Sequence, residues 1–161
     1  MQLISRPPES TAQVMDPTLY FRQEHPLVAR PMGLAIVLGA SRIVYETTLG
    51  RANLDLFGDL HAAGAPLGEG WRGDRLEVVK VKGDRIAAWA IAFTKPSQAA
   101  RFAEAYAQVI EAKATEPGHF VASNASVRWE GTVVAVAEGA TGDVRTFIET
   151  AALRAFHPVS Q

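Results

Sequence analysis

The chain has 161 residues, of which 48% are hydrophobic and 20% charged, with a formal net charge of -1. That is enough chain for one domain with a sizeable core, and its charge supplies no field that would recruit nucleic acid or anionic lipid. There is no cysteine, which excludes disulfides, thiol catalysis and cysteine-ligated metal.

Prolines at positions 7, 8, 17, 26 and 31 mark residues 1–31 as a proline-rich arm. Ser10 to Met15 and Thr18 to Glu24 each suit a short helix, with Ser10 as N-cap and Pro17 ending the first. Leu19, Tyr20 and Phe21 are costly to leave in water, so the arm is expected to pack on something. The first residues lack the basic start and apolar run of a signal peptide, and the longest apolar stretch, Leu34 to Leu38, is too short to span a bilayer. Membrane insertion is not expected, and a cytoplasmic location is the default.

Residues 32–161 read as a single domain. Leu34 to Leu38 suits a buried strand, continued by Ile43 to Tyr45 after a turn at Gly39. Leu49, Ala52, Asn53, Leu56, Phe57 and Leu60 then fall on one helical face. Thr48 suits the cap, and Gly64 and Pro66 close the helix. Leu76 to Val81 and Ile86 to Phe93 read as a hairpin turning at Gly83-Asp84. In its second strand Ala87, Trp89, Ile91 and Phe93 share one face, while Ala88, Ala90 and Ala92 face the other way and invite close packing. A helix opening at Pro96 and Ser97, with Ser97 as cap, buries Ala99, Phe102, Ala103, Tyr106, Val109 and Ile110, and Pro117-Gly118 ends that segment. A second hairpin, His119 to Trp129 and Thr132 to Ala137, precedes a last helix from Asp143 to about Phe156. The fold class is α+β: a largely antiparallel sheet with helices packed on one face, in two strand-strand-helix units preceded by a strand and a helix.

Chemistry-bearing patterns are few. The histidines, His25, His61, His119 and His157, show no pairing at helical spacing and no His-Glu-x-x-His run, so no metal or cofactor is expected. His61 suits a helix C-terminus, and His25 and His157 suit loops. No Gly-x-Ser-x-Gly elbow occurs, and Ser123 and Ser126 read as surface positions. Gly64 to Gly70 follows a helix and precedes a strand, the reverse of a phosphate cradle. Glu46 stands in an apolar context, as an ion-pair partner of an arginine or as an acid or base of raised pKa.

The loop Gly70-Trp71-Arg72-Gly73-Asp74-Arg75 is the densest cluster, and it has two readings. As a binding lip, Trp71 stacks on a ligand while Arg72 or Arg75 forks onto a carboxylate. As a structural element, Trp71 plugs the end of the sheet, Asp74 accepts loop amides and Arg75 braces it. The candidate ligand- or partner-binding residues are Trp71, Arg72, Asp74 and Arg75 with Leu19, Tyr20 and Phe21 of the arm. No catalytic residue is assigned.

Pro7-Pro8-Glu9-Ser10-Thr11-Ala12-Gln13-Val14-Met15-Asp16-Pro17-Thr18-Leu19-Tyr20, Thr48-Leu49-Gly50, Gly70 to Arg75, Trp89 and the helix Gln98 to Tyr106, in that order, resemble the C-terminal half of uncharacterised bacterial and archaeal zinc-metallopeptidase-like proteins. The resemblance covers residues 7 to about 110. It places the family's zinc site upstream of these motifs, and Arg51 stands where the family has glutamate. It implies a non-catalytic docking domain for a protein partner such as a peptidase-like chain. Two other functions fit the residues. One is a stand-alone small-ligand-binding module with an apolar pocket between sheet and helices, lined by Trp71, Trp89 and Arg75. The other is a small hydrolase or isomerase using Glu46 or Asp74 as base.

Overall fold

The computed structural model describes residues 7–40, 42–61 and 64–156; His157 lies outside them. The elements run α1 (Thr11–Met15), α2 (Pro17–Phe21), α3 (Leu34–Val37), β1 (Ile43–Thr47), α4 (Gly50–Leu60), β2 (Trp71–Val81), β3 (Asp84–Phe93), α5 (Pro96–Val109), β4 (Lys113–Glu116), β5 (His119–Val121), β6 (Ala125–Glu130), β7 (Val133–Glu138) and α6 (Gly142–Leu153). The seven strands form one sheet in the order β1-β2-β3-β7-β6-β5-β4, and every neighbouring pair is antiparallel. The fold is α+β, as the element pattern predicts.

The two strand-strand-helix units are present, and their inner strands β3 and β7 meet at the centre, with Trp89 opposite Val136. The helices, expected on one face, occupy both. Trp89, Ile91, Phe93, Val134 and Val136 pack with Leu54 of α4 and Phe102, Ala103 and Tyr106 of α5. Ala88, Ala90, Ala135 and Ala137 pack on the other face with Ile148 and Ala152 of α6 and Leu34 of α3. The alanines therefore do what their size allows, letting α6 lie close to the sheet. Because strand side chains alternate, both faces of β3 and β7 are apolar and each needs a cover.

Four local expectations are corrected. Leu34 to Leu38 is not a strand but a helical turn, Leu34–Val37: Leu34 is buried with Ala35 and Leu38 packed beside it, while Ile36 and Val37 are exposed, which is a helical rather than an alternating pattern. Pro17 does not merely end α1 but opens α2 at its first position, where a missing N–H costs nothing; Asp16 caps α2, and its carboxyl is held below the usual carboxylate range by the hydrogen bonds from the Thr18 hydroxyl and N–H. Ser97 is not the cap of α5: that position is Lys95, whose N–H is accepted by Gln98 Oε1. Pro117-Gly118 is the turn of an added hairpin, β4–β5, rather than a helix stop. The first hairpin turns on Lys82 and Gly83, both at positive φ, with Val81 paired to Asp84.

The arm lies on the domain. Ser10 caps α1 by accepting from Gln13 N–H, and Ala12 joins the core beside α4. Residues 24–32 cross the start of β2, where Leu27 N–H donates to Arg72 O at 2.6 Å. Gly73 permits this crossing, because a Cβ there would sit 2.2 Å from Leu27 O.

Candidate functional site

Asp74 is 2% exposed, and four donors converge on its carboxylate. Oδ1 accepts from the Trp71 indole N–H at 2.9 Å and Gly50 N–H at 2.9 Å. Oδ2 accepts from Leu49 N–H at 2.8 Å and the Trp89 indole N–H at 3.1 Å. This charge sits at the start of α4, where unpaired N–H groups and the helix dipole favour an anion. Thr48, expected as the cap, instead donates its hydroxyl to Asp74 O; the cap of α4 is a strand aspartate far away in sequence. Gly50, at φ +78°, turns its N–H onto that carboxylate.

The remaining loop residues are tied in the same way. Trp71 is buried. Arg75 bridges Glu77 at 2.8 Å and Glu46 at 2.5 Å, so Glu46 has the ion pair foreseen for it. Glu77, itself buried, also accepts Met32 N–H at 2.8 Å. Arg72 meets Glu24 of the arm at 3.3 Å. Trp71, Asp74 and Arg75 line a hollow of about 370 Å³ beneath the arm, and Arg72 lines a second of about 370 Å³ with Gln13, Arg51 and Gln98. Both hollows are walled in part by the arm, and the loop's hydrogen bonds are spent holding β2, α4 and the arm together. Of the arm residues, Leu19 packs against the core, Tyr20 and Phe21 meet edge to face at 5.6 Å, and Phe21 is 62% exposed.

Trp89 does not line the hollow that Trp71 and Arg75 share. It lies instead on the floor of an apolar groove of about 420 Å³ between α4 and α5. Leu76, Val78, Ala87, Trp89 and Val136 of the sheet form the floor; Leu49, Leu56, Phe57 and Leu60 form the α4 wall. These α4 residues are the stripe that periodicity assigns to the core. The helix buries its other side, Gly50, Leu54 and Gly58. Gly58 lets Leu67 approach, since a Cβ there would meet its Cγ at 3.0 Å. With its small-residue side pressed down and its N-terminus pinned by Asp74, α4 presents its leucines to the groove, leaving Leu56 54% and Leu60 73% exposed.

Two polar side chains stand in this apolar setting on the side of α5. The Tyr106 hydroxyl donates to Glu138 Oε1. Burial, and then the Glu138 charge and hydrogen bond, push the Tyr106 phenol far above its ordinary range, so it stays a neutral donor. Phe57 stacks on Tyr106 at 5.5 Å, and Trp89 meets it edge-on at 6.3 Å. Glu138 continues the face of Val134 and Val136. The expected strand stops at Ala137, one residue short of it; alternation carried one step further would have placed this carboxylate on the apolar face.

Ser126, expected at the surface, is fully buried and donates to Glu149 Oε1. His119 Nε2 lies 3.0 Å from the same oxygen, and its Nδ1 3.2 Å from Glu116. The serine meets the carboxylate rather than the imidazole, so the three do not form a nucleophile–base relay. His61 ends α4 and packs on Phe57 at 4.6 Å. Among the described residues no three or more His, Asp or Glu side chains converge as metal ligands, and no described helix is long and apolar enough to cross a membrane.

No curated protein matches the sequence. The extracellular domain of PknH from Mycobacterium tuberculosis is a solved structure similar to this one, 11% identical, with a TM-score of 0.47, covering 78% of this chain and 90% of that chain. A family model described as a domain of unknown function, DUF8575, matches residues 30–154, and the chain belongs to that family.

Proposed function

We propose that this domain binds a small, largely apolar molecule in the groove between α4 and α5. The observation that carries this reading is a leucine-rich helix face left beside an open apolar floor, in a groove of about 420 Å³. That volume falls within the range of about 300–1,000 Å³ common to small-molecule sites, which are mostly apolar with a few placed polar groups. Exposing Leu56 and Leu60 together is unfavourable in water, and a bound apolar body removes that cost. The test is titration with the neutral dye Nile red, followed by its emission and by tryptophan quenching. Saturable one-to-one binding, lost in Leu60→Glu with the fold intact by circular dichroism, is the expected result. Binding that survives this substitution, or a dimer that excludes the dye, overturns it.

A second reading, protein docking through the arm, is favoured by a specific observation: α1 and α2 expose Val14, Met15 and Phe21. The arm's inner side is already committed to the domain, so docking would use this outer side. Val14→Asp with Phe21→Asp should abolish capture of such a partner while leaving thermal stability unchanged.

A further inference from the structure

We propose that Glu138 makes the groove selective for an apolar cation, an amine or quaternary ammonium carried on a hydrocarbon body. The inference rests on the groove being a ligand site and names the class of ligand it takes.

Among the described residues Glu138 is the one charged side chain lining the groove. It is half-buried, and among the described residues its side chain has one hydrogen-bond partner, the Tyr106 hydroxyl, and no ion pair. Every other buried or half-buried carboxylate among the described residues has an arginine, a histidine or at least two hydrogen-bond donors. Asp16 accepts both the N–H and the hydroxyl of Thr18, Glu24 meets Arg72, Asp55 meets Arg51, and Glu77 meets Arg75. Asp74 holds two backbone amides and Glu149 meets His119. A carboxylate withdrawn from water without a counter-charge is unfavourable. A cation arriving with the ligand removes that cost.

The surroundings suit a cation better than any other head group. A second carboxylate or a phosphate would be repelled by Glu138. Phe57, Trp89 and Tyr106 line the same groove, and aromatic rings attract a cation, most strongly where water is excluded. Tyr106 stays a donor, so it keeps one oxygen of Glu138 occupied and leaves the other for the ligand. Arg85 lines the adjoining hollow of about 570 Å³ on the far side of Glu138, but it makes no ion pair with it within 4.0 Å.

The experiment compares decyltrimethylammonium, 1-decanol and decyl sulfate, below their micellar concentrations, on the intact chain by isothermal titration calorimetry. The cation should bind on the order of tenfold more tightly than the alcohol, and the sulfate more weakly than either. Glu138→Gln should erase the difference in affinity between cation and alcohol. If alcohol and cation bind equally, or if the cation's advantage survives Glu138→Gln, the cation inference is overturned and the groove reading stands. If none of the three binds, the groove reading fails and this inference with it.

Discussion

The Trp89 indole N–H donates to Asp74 Oδ2 at 3.1 Å, so the floor of the groove is fixed by the carboxylate that also receives the first N–H groups of α4. One side chain thereby sets the distance between the groove's floor and its wall. Asp74→Asn keeps the shape but turns an NH2 group toward two of the four donors. It should lower unfolding free energy by about 2–4 kcal/mol in a urea titration and weaken Nile red binding in parallel. A variant that is destabilised yet binds the dye as before would separate the two roles.

Gly73 is a matter of space. A methyl at this position meets Leu27 O at 2.2 Å, so Gly73→Ala must lift the arm from β2 or bend the strand. A loss of about 1–3 kcal/mol is expected, with faster hydrogen exchange at Leu27, whose N–H bonds Arg72 O.

Tyr106 gives a pH dependence with a definite sign. Its phenol ionises at 10.0 when unperturbed, and burial raises that value in the folded state. Above the unfolded value the unfolded chain has lost a proton that the native state retains, so stability is full below that pH and falls as pH rises beyond it. Tyr106→Phe should flatten the stability curve above about pH 10, measured by denaturant midpoints across the alkaline range. An unchanged slope would show that other groups govern the alkaline loss.

The turn α3 offers a contrast within four residues. Leu34 is fully buried and Ile36 is 86% exposed. Leu34→Ala should cost about 2–5 kcal/mol and Ile36→Ala within about 0.5 kcal/mol. Equal costs would mean that both side chains are buried, as a strand in the sheet interior requires.

Much of this fold was legible in the chain itself. The alternation of Trp89, Ile91 and Phe93 against Ala88, Ala90 and Ala92 specified a strand with two unlike faces. The spacing of Ala99, Phe102, Ala103 and Tyr106 specified a helix and its buried side. Gly83 and Gly131 marked both hairpin turns, each one residue out of register with the expected pairs Gly83-Asp84 and Glu130-Gly131, since Val81 pairs with Asp84 and Glu130 with Val133. The structure-holding role of Trp71 and Asp74 was one of the two readings their loop allowed. Periods and turn preferences are local properties, so they survive without knowledge of neighbours.

The groove was not legible, for a physical reason that α4 makes concrete. Periodicity identifies an apolar face but does not say whether a neighbour covers it. The Leu49–Leu60 stripe looks like core, yet the helix rests on Gly50, Leu54 and Gly58 because Asp74, 24 residues beyond Gly50, pins its start. Glu138 likewise needs Tyr106 across the fold before its position has meaning. The sequence determined the α+β sheet, its two hairpin-helix units and the alternation of unlike apolar faces along β3. Only the tertiary structure decided which apolar face stayed open and which carboxylate came to stand beside it, because both depend on contacts between residues that no local pattern links.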